Sequence, residues 1–465
     1  MPDLTRGPIL TGIVGIAAPL ALANLLQQGY LLVDSAVVGR YVGVAGLAAM
    51  GAAQPLYAIL SSLFTGVSGA FAVRLGQLTG AGKLSGPGRH DDRSALLALA
   101  LCTGAWSVLC AAIAVPAAGP LLALTGVTGE VAAEARTFVV TLCSGMVAIY
   151  ALGAVCAVLT GRGDARGATG LQITASALNA TFAWLFVGPW RFGIAGAALA
   201  VLAANSLAAV AGLVRLVREE RRRPSPAAAV TAATVRAEVR RGLRVGAPMG
   251  AQYLLIGVGI LVLVWIITPF GEPALAALTV VSRLELLTTV LFLNLSGALM
   301  VFTAQNTGAG QSARIREGVR STAWLGAALT VVVSLLLLAE RGPIAALFSG
   351  NPETRLVTER YVLITAPFFL CYTLTIVLHG WFNGITRAVV PLICTVASLG
   401  VVRLPLSYVL GHAWGVDGVM WATVIGWAVG LGYTLLATWQ TARATAPRPP
   451  RRSRPAVKPD DRVDR

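Results

Sequence analysis

Residues 9–44 read ILTGIVGIAAPLALANLLQQGYLLVDSAVVGRYVGV. The run is apolar almost throughout, and as a helix it is long enough to cross a bilayer. Three features interrupt it: Pro19 near its middle, the amide pair Gln27 and Gln28, and one carboxylate, Asp34, ahead of Gly39 and Gly43. A carboxylate inside a spanning helix is costly and characteristically faces a protein-lined cavity rather than lipid. A proline there marks a candidate hinge, because the backbone group it frees must be satisfied by neighbours. The stretch predicts a membrane helix that bends around one titratable group.

The rest of the chain repeats the apolar theme. Of its 465 residues, 56% are hydrophobic and 12% charged, with a mean hydropathy of +0.75. A soluble protein would carry roughly twice that charged share. The expected class is an all-α polytopic membrane protein. Windows of about 20 residues place twelve spans, with cores at 10–38, 45–73, 94–118, 136–159, 168–188, 194–216, 245–268, 274–303, 321–339, 358–380, 388–410 and 416–440. The first apolar run is too long for the core of a cleaved signal, so the first helix is expected to act as the insertion signal and stay. All six cysteines fall inside spans without metal-ligand spacing and read as small packing residues. Neither a metal nor a cofactor is expected.

A net charge of +16 raises the question of nucleic acid, and its distribution answers it. Six basic residues (Arg40, Arg136, Arg191, Arg341, Arg355, Arg360) lie on the far side, opposite the termini, and two (Arg283, Arg403) within spans. The other 28 of the 36 Lys and Arg lie on the side that carries both termini. By the positive-inside rule that side is cytoplasmic, and the basicity is topological. The partners expected are a lipid bilayer and small molecules, with no nucleic acid. The protein is expected in a bacterial plasma membrane, with both termini on the cytoplasmic side, as a monomer.

The longest hydrophilic stretch, 218–244, divides the chain into similar halves. Pro19 recurs as Pro248, 229 residues later, and Leu47-Ala48-Ala49 as Leu275-Ala276-Ala277 at an offset of 228. Gln77-x-x-Gly80-Ala81-Gly82 recurs as Gln305-x-x-Gly308-Ala309-Gly310, again at 228. Gly163-x-x-Arg166 recurs as Gly384-x-x-Arg387 at 221, and Gly193-x-x-Gly196 as Gly415-x-x-Gly418 at 222. Five matches in one order argue for duplication. With six spans each, both halves insert in the same sense. Two pseudo-symmetric six-helix bundles related by an axis along the membrane normal are expected, with a cleft between them. The boundaries are an N-lobe at 1–217, a basic linker at 218–244, a C-lobe at 245–440 and a disordered basic tail at 441–465. Asp34 has no counterpart: its place falls at Val262 or Leu263, and no acid lies between Val245 and Gly271.

At this point the chain resembles the multidrug and toxic compound extrusion transporters, in their bacterial, proton-coupled, DNA-damage-inducible-type branch. The resemblance covers about residues 10–440. It rests on PLALANLLQQGYLLVDSAVVGRYVG, on QLTGAGK and AQNTGAGQ after the second helix of each lobe, on LTGRGDAR after the fourth, on WRFGIAGAALA opening the sixth and on SRLELLT in the eighth. It implies two rocking bundles that export organic cations in exchange for protons or sodium. It also implies that the bent first helix and its acid, here Pro19 and Asp34, control the N-lobe cavity. Members with a full ion site add an Asn and an Asp in the fifth helix and a Thr in the sixth. Asn179 matches the first, but the others fall on Ala183 and Val201.

A stripped sodium ion needs several oxygen ligands, as hard cations do. A proton needs only one carboxylate, and the expected coupling ion is therefore H+. The expected site is Asp34 with Asn179 as its partner, Tyr30, Gln27 and Gln28 on the substrate cavity, and Pro19 as hinge. Arg283 and Glu285, two apart in the eighth span, do not face each other; they read as a structural feature between lobes, with Glu285 the one C-lobe acid available for coupling. Two rivals remain. A flippase for a lipid-linked precursor would want several basic residues in the cleft. An embedded transferase would want clustered acids, whereas Asp91–Asp92 and Glu219–Glu220 sit among arginines in loops. Catalytic residues are not expected.

Overall fold

A computed structural model describes residues 4–82, 89–123, 128–222, 230–348 and 350–445. Among them the chain is helical, with no strand. Eleven helices are long and apolar enough to span a membrane. A twelfth span is the pair Gly129–Ser144 and Met146–Gly161, bent by 51°. In order, the first three spans are Ile9–Tyr41, Val44–Gly80 and Arg89–Ala123. The bent pair is the fourth, followed by Ala165–Val187 and Gly193–Arg221. The C-lobe holds Ala232–Ile267, Glu272–Gly308, Ser312–Ala339, Pro352–Gly384, Val389–Trp414 and Val416–Thr445. The all-α, twelve-span reading holds. A helix satisfies every backbone group within its own segment, which is why apolar runs of this length adopt it in lipid.

The connections differ more than the spans do. The stretch 218–244 is helical at both ends, since the sixth span continues to Arg221 and the seventh begins at Ala232. Thr231 caps the latter with a reciprocal bond to Thr234. Glu238, 5% exposed, is clamped by Arg74 at 2.6 Å and Arg241 at 2.7 Å, so charge pairing carries the helix beyond its apolar part. Asp92 likewise is no loop residue: it lies in the third helix, buried against Arg162 at 2.8 Å. Glu219 and Glu220 are helical too, pairing with Arg215 and Arg93. A short helix, Arg341–Phe348, precedes the tenth span and was not expected. The tail is helical to Thr445, and the disorder expected of 446–465 lies outside the described residues.

Duplication is visible in the backbone. Gly43 and Gly271, Gly82 and Gly310, and Gly193 and Gly415 all have positive φ at matching places in the two lobes. Gly193 and Gly415 thus serve a turn at the head of the span that follows each. Their partners do pack closely: a Cβ on Gly418 would meet the Leu410 carbonyl at 2.0 Å.

The repeated Gln-x-x-Gly motif joins the lobes. A Cβ on Gly80 would lie 1.7 Å from the Gln305 carbonyl oxygen, and one on Gly308 1.9 Å from that of Gln77. Each copy of the motif packs its glycine on the other's glutamine. Farther into the membrane, Gly66 meets Gly246 and Gly250 of the seventh span. Ile9, Ile13 and Ile16 of the first span share a core with Leu295, Leu299 and Phe302 of the eighth. Arg314 and Asn306 donate to the Leu4 carbonyl, both at 3.2 Å. These lobe-to-lobe contacts lie in the half of the bilayer nearer the termini. Midway up, the Asn24 amide donates across the lobes to Asn294 at 2.9 Å. Asn24→Ala is expected to cost about 0.6 kcal/mol, the usual worth of an interhelical hydrogen bond in a membrane. A thermal-unfolding midpoint within a few degrees of wild type in detergent would bear this out.

Candidate functional site

Two polar clusters interrupt the apolar interior, one in each lobe. The first surrounds Asp34, seven residues and so roughly 10 Å below the far end of the first span. Asp34 is 2% exposed, and its Oδ1 has no hydrogen-bond partner. Among the described residues no cation is paired with it. The fifth span runs parallel to the first: Ala165 shares a core with Ile13 and Ile16, and a Cβ on Gly188 would touch the Tyr41 ring at 3.2 Å. That alignment puts Asn179 at nearly the depth of Asp34. Asn179 is also 2% exposed, and both atoms of its amide lack partners. The two side chains are not hydrogen-bonded to each other.

Tyr30 and Tyr57 flank this group, Tyr30 half-buried one turn before Asp34 and Tyr57 on the second span. Gln27 is exposed, just short of one turn before Tyr30, whereas Gln28 is half-buried. Below them Tyr150 stacks on Phe64 at 4.3 Å and donates to the Leu60 carbonyl. Tyr57 and Tyr150 were not anticipated, because an aromatic in a spanning helix gives no sign of which face it takes. The first span continues unbroken through Pro19. Ala183 is fully buried and Val201 half-buried, so neither brings a side-chain oxygen.

The second cluster lies in the C-lobe. Tyr361 of the tenth span donates to Glu285 of the eighth. Arg403, of the eleventh, closes an eight-residue π-helical segment, Val396–Arg403. It lies close enough to Tyr361 and Tyr372 to act on both electrostatically, as does Glu285. Its Nε is buried without a partner. Arg283 is exposed and in no ion pair among the described residues, so the cross-lobe role expected of the Arg283–Glu285 pair is not seen. Glu285 turns instead to its own lobe. His379 is buried between Gln252 and Thr434, at 3.3 and 3.5 Å, which fits packing. No group of three or more metal-binding side chains occurs among the described residues.

The LTGRGDAR motif proves structural. Arg162 is the partner of Asp92, while Asp164 accepts from Gly167 N at 2.9 Å, capping the fifth span, and pairs with Arg215.

Twelve spans in two duplicated lobes, joined near one membrane face and each holding incompletely paired charge, define a two-lobed membrane transporter. The MatE family model matches residues 19–185 and 248–409, one block in each lobe, and the chain belongs to that family, the multidrug and toxic compound extrusion transporters. It is 25% identical over 407 residues to a probable multidrug resistance protein, YoeA, of Bacillus subtilis, covering 85% of each chain. It is 24% identical over 427 residues to an FAD transporter of Shewanella oneidensis, covering 91% of this chain and 92% of the other. Among solved structures, the Vibrio cholerae MATE transporter VcmN in its bent form superposes with a TM-score of 0.84 at 20% identity, covering 94% of this chain and 97% of that one. At that identity the match speaks for the fold.

Proposed function

We propose that this protein exports lipophilic organic cations across the bacterial plasma membrane by antiport against protons, with Asp34 as the coupling group. The observation that carries the reading is the buried Asp34 carboxylate, unpaired beside an equally unpartnered Asn179. An ionised carboxylate out of water and without a counter-charge is costly. A bound organic cation or a proton relieves that cost, and the two cannot do so together. Competition at one group couples their movements, the switch being a local charge change acting on a two-state assembly. Tyr30 and Tyr57, both half-buried, offer aromatic faces to a cation.

Sodium fits less well, since Ala183 and Val201 withhold the oxygens that a stripped ion requires. Pro19 serves as the hinge by which the first span responds. The names of the multidrug-resistance relatives support drug export, and the basic terminal side supports cytoplasmic termini. The lobe contacts near that side support an outward-facing state. The protein acts as a monomer, and its work is translocation rather than catalysis.

The test is efflux of a fluorescent cation from proteoliposomes under a proton gradient or a sodium gradient, imposed separately. Proton-driven efflux is expected, unchanged by sodium. Efflux driven by sodium alone would overturn proton coupling. Efflux under neither gradient would overturn drug export and bring forward a lipid-linked-precursor flippase.

A further inference from the structure

The C-lobe cluster is not a copy of the N-lobe cluster, and the difference lies in sign. The 228-residue offset that maps Gln77 onto Gln305 maps Tyr57 onto Glu285. The 221- and 222-residue offsets of the later spans map Asn179 onto Gly400 or Val401, less than one turn before Arg403. Glu285 and Arg403 therefore stand, in the C-lobe, at or near the places that Tyr57 and Asn179 hold in the N-lobe, while the place of Asp34 falls at Val262 or Leu263. One lobe offers a lone carboxylate, and the other adds a guanidinium.

That guanidinium has no counter-ion among the described residues. Glu285 is the acid nearest at hand, but it is engaged by the Tyr361 hydroxyl, and the two charges are not within ion-pair distance. The Arg403 stem crosses Gly426 of the twelfth span, where a Cβ would come within 3.0 Å of it. Its charge acts on Tyr361 and Tyr372, and its Nε is buried and unpartnered. An arginine held inside a membrane protein is expensive unless an anion meets it. Its planar fork also matches a carboxylate or phosphate better than any other side chain does. The π-helical segment that ends at Arg403 is a local irregularity of a kind frequent at binding sites.

We infer that Arg403, at the end of the π-helical segment and packed on Gly426, is an anion-recognition site, and that the cargo includes amphoteric compounds whose cationic group is held by the Asp34 lobe and whose carboxylate or phosphate is held by Arg403. This rests on the drug-export reading and narrows it: a cation alone satisfies one lobe, whereas an amphoteric molecule satisfies both.

A matched pair of dyes tests it. Rhodamine 110 carries a free carboxylate, and rhodamine 123 is the same ring system with that group methylated. Binding to the full-length protein in nanodiscs is followed by fluorescence anisotropy for wild type, Arg403→Gln and Arg403→Lys. Efflux of rhodamine 123 from proteoliposomes reports folding. Arg403→Gln is expected to weaken rhodamine 110 binding about tenfold, the usual worth of a charge-assisted hydrogen bond. It should leave rhodamine 123 binding and efflux within about twofold. Arg403→Lys should restore part of the rhodamine 110 affinity.

Equal losses for both dyes, or no loss for rhodamine 110, would overturn the anion site while leaving drug export standing. A wild-type protein that moves neither dye but binds rhodamine 110 through Arg403 would overturn drug export and keep the anion site. If Arg403→Gln no longer exports rhodamine 123, Arg403→Lys decides alone: equal changes for the two dyes would overturn the inference.

Discussion

Asp34→Asn is expected to reduce proton-driven efflux to the level of empty liposomes. The substitution keeps the shape of the side chain and removes its ability to ionise, so the fold should survive while the switch is lost. The amide mimics the protonated acid, the state that releases cargo in the proposed cycle. Binding of a lipophilic cation should therefore weaken about tenfold, the loss of one charge-assisted contact. Any residual transport should no longer respond to the direction of the proton gradient. Parallel efflux assays on wild type and variant, with binding measured on the same preparations, check all three. A variant that still follows the proton gradient would move coupling to Glu285, the acid that Tyr361 holds in the other lobe.

The other large effect concerns stability. Arg162 and Asp92 are each 1% exposed and meet at 2.8 Å, beneath the place where the two lobes join. Gly161, next to Arg162, accepts from the Gln305 amide of the opposite lobe at 3.2 Å. Removing the arginine takes from Asp92 the counter-charge it meets in a desolvated site. Arg162→Met is expected to destabilise the protein by about 3–5 kcal/mol. Arg162→Met combined with Asp92→Leu should recover most of that loss, because two apolar groups leave no orphaned charge. Unfolding midpoints of the purified single and double variants provide the comparison. A single variant as stable as wild type would mean that water or a neighbour replaces the arginine.

Much of the architecture was legible in the sequence. Apolar runs of bilayer length admit no backbone but helix, because lipid offers nothing to an open carbonyl or amide. The count of twelve spans followed from length and hydropathy, and the two lobes from matched offsets. Asp34 stood out for the same reason, as an isolated carboxylate in an apolar run. What remained hidden depends on three-dimensional approach. Hydropathy stops where charge begins, so it ended the sixth span at 216 and began the seventh at 245, although the former helix runs on to Arg221, and Thr231 and the Arg74–Glu238 pair extend the latter. It left Asp92 in a loop, because only the fold brings Arg162 to it. Nothing in the Gln-x-x-Gly spacing says that each copy packs on the other across the pseudo-symmetry axis, and nothing in SRLELLT says that Glu285 turns to Tyr361 rather than across the lobes. The sequence determined the helices, their number, their pairing into lobes and the identity of the buried acid, since those depend on local hydrophobicity and repetition. Tertiary structure decided which charges meet and which stay unpaired, because contact between distant helices depends on their rotation and depth, and hydropathy encodes neither.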